Sequence, residues 1–130
     1  MLDRIDICVE ASPITYGDIR SSGNNESSRE IRARVEQARK IQGERFAGEN
    51  IRCNGEMSGR HIRKFCGLGR EEEKFMEEIF KKLALSARMH DRILKVARTT
   101  ADLAEEEKIR LADLCEAVSY VKSRDKFWGN

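Results

Sequence analysis

The sequence predicts an all-α protein, a compact bundle of about four to five helices preceded by a short strand and a linker. Of the 130 residues, 37% are charged and 6% are aromatic, and there is one proline. The chain is rich in Ala, Glu, Lys, Arg and Leu, which favour helix over sheet. From Ser27 onward, apolar residues recur at helical spacing. We therefore expect a single helical domain over residues 25–130.

The first 24 residues have a different character. Residues 5–11, IDICVEA, alternate apolar and polar side chains with the period of a short strand. A single strand is not stable by itself, so we expect its partners to lie outside this chain. The following stretch, SPITYGDIRSSGNNES, clusters Ser, Pro, Gly and Asn and is typical of a linker. This composition predicts a domain boundary near residue 24.

Two helices are predicted next, each beginning at a serine cap. Ser27 and Glu30 have the spacing of a capping box, and the helix that they start should reach about Phe46. One face of this helix is traced by Ile31, Val35, Ala38 and Gln42. The segment AGENIRCNGEM is typical of a loop, and Ser58 then caps a short second helix. The apolar residues of that helix are Ile62, Phe65 and Cys66.

Three longer amphipathic helices complete the predicted bundle. The third, from about Arg70 to Leu83, has glutamates in its first turn and lysines in its last, which complements the helix dipole. Its apolar stripe is Phe75, Met76, Ile79, Phe80 and Leu83. The fourth follows Ser86, and its predicted buried residues are Met89, Ile93, Val96, Ala97, Thr100 and Leu103. The fifth spans about Leu111 to Lys122, with an inward face of Leu114, Ala117, Val118 and Val121.

Residues that could carry chemistry are sparse. The sequence contains no GxxxxGK[ST], HExxH or GxSxG motif, and it contains no CxxC pair. We interpret Cys8, Cys53, Cys66 and Cys115 as reduced core residues, and His61 and His90 as surface or boundary residues. This pattern predicts no metal site, and it argues against a complete small enzyme.

The charge pattern leaves a nucleic-acid-binding helical module as an alternative. The net charge is only +2, so such binding would depend on local clustering. The first predicted helix carries Arg29, Arg32, Arg34, Arg39, Lys40 and Arg45. The glutamates interleaved with them are Glu26, Glu30, Glu36 and Glu44. That spacing favours pairing within the helix over a track for phosphates. The chain has neither a signal-peptide pattern nor a membrane-length apolar run, so we expect a cytoplasmic protein.

Three segments resemble, in order, the C-terminal portion of the magnesium-chelatase-related AAA+ ATPases of the YifB or ComM type. They are LDRIDICVE, SGRHIRKFC and LSARMHDRILKVARTTADLAEEEKIRLADLCEAVSYV. In that family, a protease-like domain and an AAA+ core with the Walker motifs precede this region. The resemblance implies a helical lid at residues 25–130 and the end of the core, including its last strand, at residues 1–24.

The same resemblance implies properties of the full-length protein. It would use ATP and Mg²⁺, form a homo-oligomeric ring and remodel a substrate, for which DNA is a candidate. The present chain alone is expected to be an inactive monomer that holds no cofactor and needs the AAA+ core as its partner.

The resemblance also implies roles for individual arginines. Arg88, in SARMHDRIL, matches sensor 2, a lid arginine that contacts the phosphates of ATP. Arg92 and Lys95 lie on the same side of the helix and are secondary candidates for contacting phosphate. A carboxylate of the protein is the alternative partner for Arg92. Arg4, in LDRID, matches the arginine finger that reaches the ATP site of the neighbouring subunit and stabilises charge on the γ-phosphoryl group. Without the resemblance, the pattern favours a solvated outer helix face for the basic residues after Ser86.

Overall fold

The computed structural model describes Ile7, residues 27–121 and the backbone of residues 122–128. Its secondary structure in this part of the chain is five α-helices and one 3₁₀ turn. They are α1 (Ser28–Arg45), the 3₁₀ turn (Asn54–Glu56), α2 (Gly59–Phe65), α3 (Arg70–Lys82), α4 (Ala87–Leu103) and α5 (Leu111–Trp128). The prediction of an all-α bundle is confirmed. The predicted strand, linker and domain boundary lie outside the described residues, apart from Ile7, which is exposed.

Serine hydroxyls fix the starts of α1 and α4, as the sequence predicts. The Ser27 hydroxyl accepts a hydrogen bond from the Glu30 backbone N–H at 3.1 Å. The Ser86 hydroxyl accepts from the Met89 N–H, also at 3.1 Å. Each bond satisfies one of the backbone donors that a helix start leaves without an internal partner.

The start of α5 is fixed by a carboxylate that the sequence analysis did not single out. Asp113 Oδ2 accepts from the Arg110 backbone N–H at 2.8 Å and from Arg110 Nε at 3.2 Å, while Oδ1 accepts from Nη2 at 3.0 Å. Hydrogen bonding to Asp113 raises the pKa of Arg110 above its usual value. The side chain of Asp113 is fully buried, so this cap is part of the packed interior.

Helix α4 is the central element of the bundle. It packs against α1, the 3₁₀ turn, α2 and α5, and α3 packs against α5. Ala97 and Ala101 on α4 and Leu114 on α5 are fully buried, and the small alanines let the helices approach closely. Large residues from the other elements, including Phe46, Met57, Ile62 and Met76, fill the remaining core.

Four residues of the apolar faces that the sequence predicts are exposed by 40–44% of their surface. They are Ile31, Val35, Phe80 and Leu103. On α1, the buried residues are Ala38 and Gln42 in the C-terminal half, so the N-terminal half is not covered. Helical spacing identifies which residues share a face, but it does not reveal whether another element covers that face. The predicted burial of Phe80 and Leu103 was therefore wrong.

Two residues after the last helical residue of α3 and of α4, the backbone adopts left-handed geometry. Ala84 has φ 51° and Glu105 has φ 56°. The Leu85 N–H then donates to the Phe80 carbonyl at 3.1 Å, and the Glu106 N–H donates to the Ala101 carbonyl at 2.8 Å. These are the long bonds of the Schellman ending, in which glycine is usual. A Cβ in this conformation costs about 1–2 kcal/mol, so each ending holds local strain.

Only one of the described cysteines is a core residue. Cys66 is buried beside Met57, and desolvation raises the pKa of its thiol to about 11. Cys53 and Cys115 are exposed, so the prediction of core positions was wrong for both. Cys8 lies outside the described residues.

None of the helices in the described part of the chain combines the length and apolar character needed to cross a membrane.

Candidate functional site

The residues that the sequence proposes for a phosphate site lie at the N-terminal end of α4. Arg88 is the second residue of this helix, and its side chain is exposed. Arg92 and Lys95 follow four and seven residues later and are partly buried. At these spacings the three side chains project from one side of the helix. We refer to Arg88, Arg92 and Lys95 as the basic face.

A cleft of about 320 Å³ opens beside the basic face. Its lining is Arg88, Asp91, Arg92 and Lys95 from α4, and Gly55, Met57, Gly59 and Ile62 from the opposite wall. Lys95 Nζ donates to the Gly55 carbonyl oxygen at 3.3 Å and so connects the two walls. Three basic groups against one carboxylate give the cleft a positive charge, which favours an anionic ligand. The structure thus places Arg88 and Arg92 in one cleft, together with Lys95.

The wall opposite α4 is built by the 3₁₀ turn, which the sequence analysis treated as loop. Its first residue, Asn54, is only 2% exposed. The Asn54 backbone N–H donates to Gln42 Oε1 on α1 at 2.9 Å. Its side-chain amide donates to Thr99 Oγ1 at 3.0 Å and to Asp102 Oδ2 at 2.9 Å, both on α4. These bonds tie the turn to two helices and fix the position of the cleft wall.

Asp102, fully buried in the last turn of α4, is the centre of this polar network. Arg45 donates to both of its carboxylate oxygens, from Nη1 at 2.9 Å and from Nη2 at 2.5 Å. Arg45 Nη1 also reaches Asn54 Oδ1 at 3.0 Å. A buried carboxylate is tolerated only when charged partners replace its hydration, and Arg45 supplies that compensation. The end of α1, the 3₁₀ turn and α4 are therefore joined at one side chain.

Arg98 is a buried arginine of the same helix and has a structural role. Nη1 donates to the Glu107 carbonyl at 3.0 Å and Nη2 donates to the Glu106 carbonyl at 2.8 Å. Nε lies 3.3 Å from Asp102 Oδ1, and the two groups form an ion pair without a hydrogen bond at Nε. Burial lowers the pKa of Arg98, and the charge of Asp102 acts in the opposite direction. Arg98 thus fixes the loop between α4 and α5.

A second polar cluster surrounds Glu49, outside the cleft. Lys64 Nζ donates to Glu49 Oε2 at 3.0 Å, and Arg60 Nη2 donates to Oε1 at 3.2 Å. The hydrogen bond from Lys64 is the main cause of the lowered pKa of Glu49. These contacts join the loop after α1 to the exposed side of α2.

His61 lies in the same cluster and is buried, contrary to the surface or boundary position predicted for it. Its Nδ1 accepts from the Ser58 backbone N–H at 3.0 Å, and its Nε2 lies 3.4 Å from Glu49 Oε1. With Ser58, it forms a capping box in which histidine replaces the usual Glu or Gln. These contacts make His61 part of the cap at the start of α2. His90 is partly buried, as predicted for a boundary residue.

Two further predictions concern residues or groups away from the cleft. Arg4, the candidate arginine finger, lies outside the described residues. Within Ile7 and residues 27–121, the structure contains no group of three or more His, Cys, Asp or Glu side chains arranged to hold a metal ion.

The basic residues of α1 do not form a separate track of uniform charge. Arg32 Nε lies 3.7 Å from Glu36 Oε1, at the i,i+4 spacing that the sequence analysis favoured for pairing. Arg45, at the end of the helix, is committed to buried Asp102. Arg45 is therefore not one of the exposed cations that the alternative, a nucleic-acid-binding helical module, would need.

Comparisons with known proteins agree with the resemblance of the three sequence segments. The chain is 38% identical over 120 residues to competence protein ComM of Haemophilus influenzae. The aligned region covers 92% of this chain and 23% of the relative. It is 38% identical over 121 residues to protein YifB of Escherichia coli and 36% identical over 121 residues to YifB of Salmonella typhimurium, with the same coverage. The chain thus spans about a quarter of the length of these relatives.

A family match covers the whole cleft and the helical bundle up to residue 121. The family described as magnesium chelatase, subunit ChlI C-terminal, matches residues 25–121. This range includes the basic face, the 3₁₀ turn and the Asp102 network. The chain therefore belongs to the magnesium chelatase ChlI C-terminal family.

Proposed function

We propose that this domain is the lid of an AAA+ ATPase and that Arg88 is its sensor 2 residue, contacting the phosphates of ATP bound by a separate core domain. The observation that carries the proposal is the position of Arg88, exposed in the first turn of α4 at the edge of a positively charged cleft. The family match and the similarity to ComM and YifB support the lid assignment.

The local chemistry suits this role. A guanidinium offers a planar fork of donors that matches phosphate oxygens, and the first turn of a helix adds the positive end of the helix dipole. Arg92 lines the same cleft and is a secondary phosphate contact. An arginine carried on a separate lid can bind phosphate only when the lid closes on the core. Nucleotide binding would therefore be coupled to movement of the whole bundle.

The remaining components follow from the same assignment. The full-length protein would bind ATP with Mg²⁺, form a homo-oligomeric ring and use Arg4 as an arginine finger in the ATP site of the neighbouring subunit. It would act in the cytoplasm, where ATP is available, and remodel a substrate. DNA is our first candidate, because the name of one relative connects that protein with competence.

ATP turnover by the intact protein tests the role of Arg88. We expect Arg88→Ala to lower turnover by about 10- to 100-fold, the effect of losing a charge-assisted contact to phosphate. Arg88→Lys should restore little, because an ammonium keeps the charge but loses the donor fork. The matched control is Arg70→Ala, which removes another exposed arginine from the first turn of a helix, α3. Equal turnover in Arg88→Ala and wild type would contradict the assignment.

Calorimetric titration of this chain alone tests the lid assignment separately. The sequence has no phosphate-binding loop, and a few cations in an open cleft supply only a small part of a nucleotide site. We expect no ATP hydrolysis and no tight ATP binding. A micromolar dissociation constant for ATP would show that the domain is a nucleotide-binding module in its own right.

A further inference from the structure

We propose that Lys95 is a second phosphate-binding cation of the cleft, and that it exchanges the Gly55 carbonyl for a phosphate oxygen of the nucleotide when the lid closes. The inference rests on the proposed function and extends it to a residue outside the sensor motif. The ligand class is a polyphosphate, which Arg88 and Lys95 would bind from the same wall of the cleft.

The position of Lys95 on α4 brings its ammonium toward Arg88. The two residues are seven apart, which is close to two full turns, and their Cα atoms are separated by about 10 Å along the helix axis. Side chains of a helix lean toward its N-terminus, so Lys95 extends in the direction of Arg88. Both residues line the same cleft. Two long cationic side chains that share a face can therefore approach a single polyphosphate.

The present partner of Lys95 is weaker than a phosphate would be. The bond from Nζ to the Gly55 carbonyl is 3.3 Å long and exposed, whereas ordinary bonds of this type are about 2.9 Å long. The carbonyl is neutral. The charge of Lys95 therefore attracts only the dipole of this carbonyl, whereas a phosphate oxygen would add the attraction between two opposite charges. A phosphate oxygen that enters the cleft should therefore displace the carbonyl as the acceptor.

The surroundings keep Lys95 positioned while no phosphate is bound. Asn54, the residue before Gly55, is fixed by its bonds to α1 and α4, and Met57, two residues later, is buried. Thr99 Oγ1 accepts from the Asn54 amide at 3.0 Å and donates to the Lys95 carbonyl at 2.9 Å, so it links the turn to the Lys95 backbone. The Gly55 carbonyl thereby holds the ammonium at the cleft. This pre-orientation lowers the entropy cost of binding phosphate.

Steady-state ATP turnover by the intact protein tests this proposal. Lys95→Met keeps the length of the side chain and removes its charge, and we expect it to raise the KM for ATP about tenfold, the effect of one charged contact. Lys95→Arg should restore most of the wild-type KM, because it keeps a cation at the same position. The matched control is Lys81→Met on α3, an exposed lysine beside Glu77 and away from the cleft lining. We expect no change in KM for this control.

The outcomes separate this proposal from the assignment of Arg88. An unchanged KM in Lys95→Met, with turnover impaired in Arg88→Ala, would overturn the role of Lys95 and leave the sensor role intact. A raised KM that Lys95→Arg does not restore, accompanied by a lowered Tm, would make Lys95 a structural residue and also overturn the proposal. Wild-type turnover in Arg88→Ala would instead contradict the proposed function itself.

Discussion

The two ends of α4 use arginine in opposite ways. Arg88, in the first turn, is exposed beside an open cleft, whereas Arg98, near the last turn, is 4% exposed and bound to backbone carbonyls and a buried carboxylate. Both belong to one amphipathic helix. The difference shows that the role of an arginine depends on its burial and partners, because a buried guanidinium needs acceptors inside the protein, whereas an exposed one remains in contact with solvent.

The 3₁₀ turn connects the two ends. Asn54 binds Asp102 in the buried network, and the next residue, Gly55, accepts from Lys95 in the cleft. The wall of the candidate phosphate site is therefore positioned by the structural end of the same helix. Changes to the charged side chains at the two ends should have separable effects, since we expect loss of Asp102 to lower stability and loss of Arg88 to lower turnover.

The largest effect is expected from Asp102→Ala. This change leaves Arg45 and Arg98 without their carboxylate inside the protein, and the loss of one partner from a buried ion pair costs about 3–5 kcal/mol. Urea denaturation of the chain would measure the free energy of unfolding. The control is Asp91→Ala, which removes a partly exposed carboxylate from the cleft end of α4. A loss below about 1 kcal/mol for Asp102→Ala would contradict the importance of the network.

Met89→Ala should have the next largest effect. Met89 is buried and directly follows Arg88, so it tests packing at the N-terminal end of α4. Truncation of a buried methionine leaves a cavity and costs about 2–5 kcal/mol, and the remaining 9% exposure favours the lower part of this range. The same denaturation experiment applies. An effect as small as that of an exposed residue would show that this end of α4 is not packed as described.

A smaller effect of opposite sign is expected where α4 ends. Glu105→Gly should raise the free energy of unfolding by about 1 kcal/mol, because glycine adopts the left-handed conformation at φ 56° without the Cβ clash. Glu105→Ala is the matched control, since it removes the charge and keeps the Cβ. Thermal unfolding of both variants would measure the effect. If Glu105→Gly and Glu105→Ala stabilised the chain equally, loss of the charge would explain the effect, and the strain argument would be wrong.

The sequence predicted local features well, because local rules govern them. The serine caps of α1 and α4 depend on residues within three positions of each other, and the shared face of Arg88, Arg92 and Lys95 depends only on helical spacing. Helical spacing thus identified the candidate phosphate residues, although it could not reveal the cleft that they line. Their assignment to ATP came from the resemblance to a known family and stays a prediction.

The buried network could not be predicted, because its partners are distant in sequence. Arg45 and Asp102 are 57 residues apart, and Arg98 and Asp102 on α4 have an i,i+4 spacing that is also found on exposed helix faces. The sign that the sequence offered was the small apolar residues near Arg98, Ala97 and Ala101, both of which are buried in the structure. Exposure of Ile31 and Val35 was unpredictable for a similar reason, since a hydrophobic face does not specify what covers it.

The smallest effect on stability is expected from Arg88→Ala, and it gives the sharpest test of the contrast within α4. The side chain is exposed, and substitution of an exposed residue away from special backbone geometry usually changes the free energy of unfolding by no more than about 0.5 kcal/mol. Alanine also has a higher helix propensity than arginine, which offsets part of any lost contact. Urea denaturation of the chain and ATP turnover by the intact protein should therefore give opposite results, with stability nearly unchanged and turnover strongly reduced. If Arg88→Ala instead unfolded the domain while turnover per folded molecule stayed normal, Arg88 would be a structural residue like Arg98, and the functional contrast between the two ends of α4 would not hold.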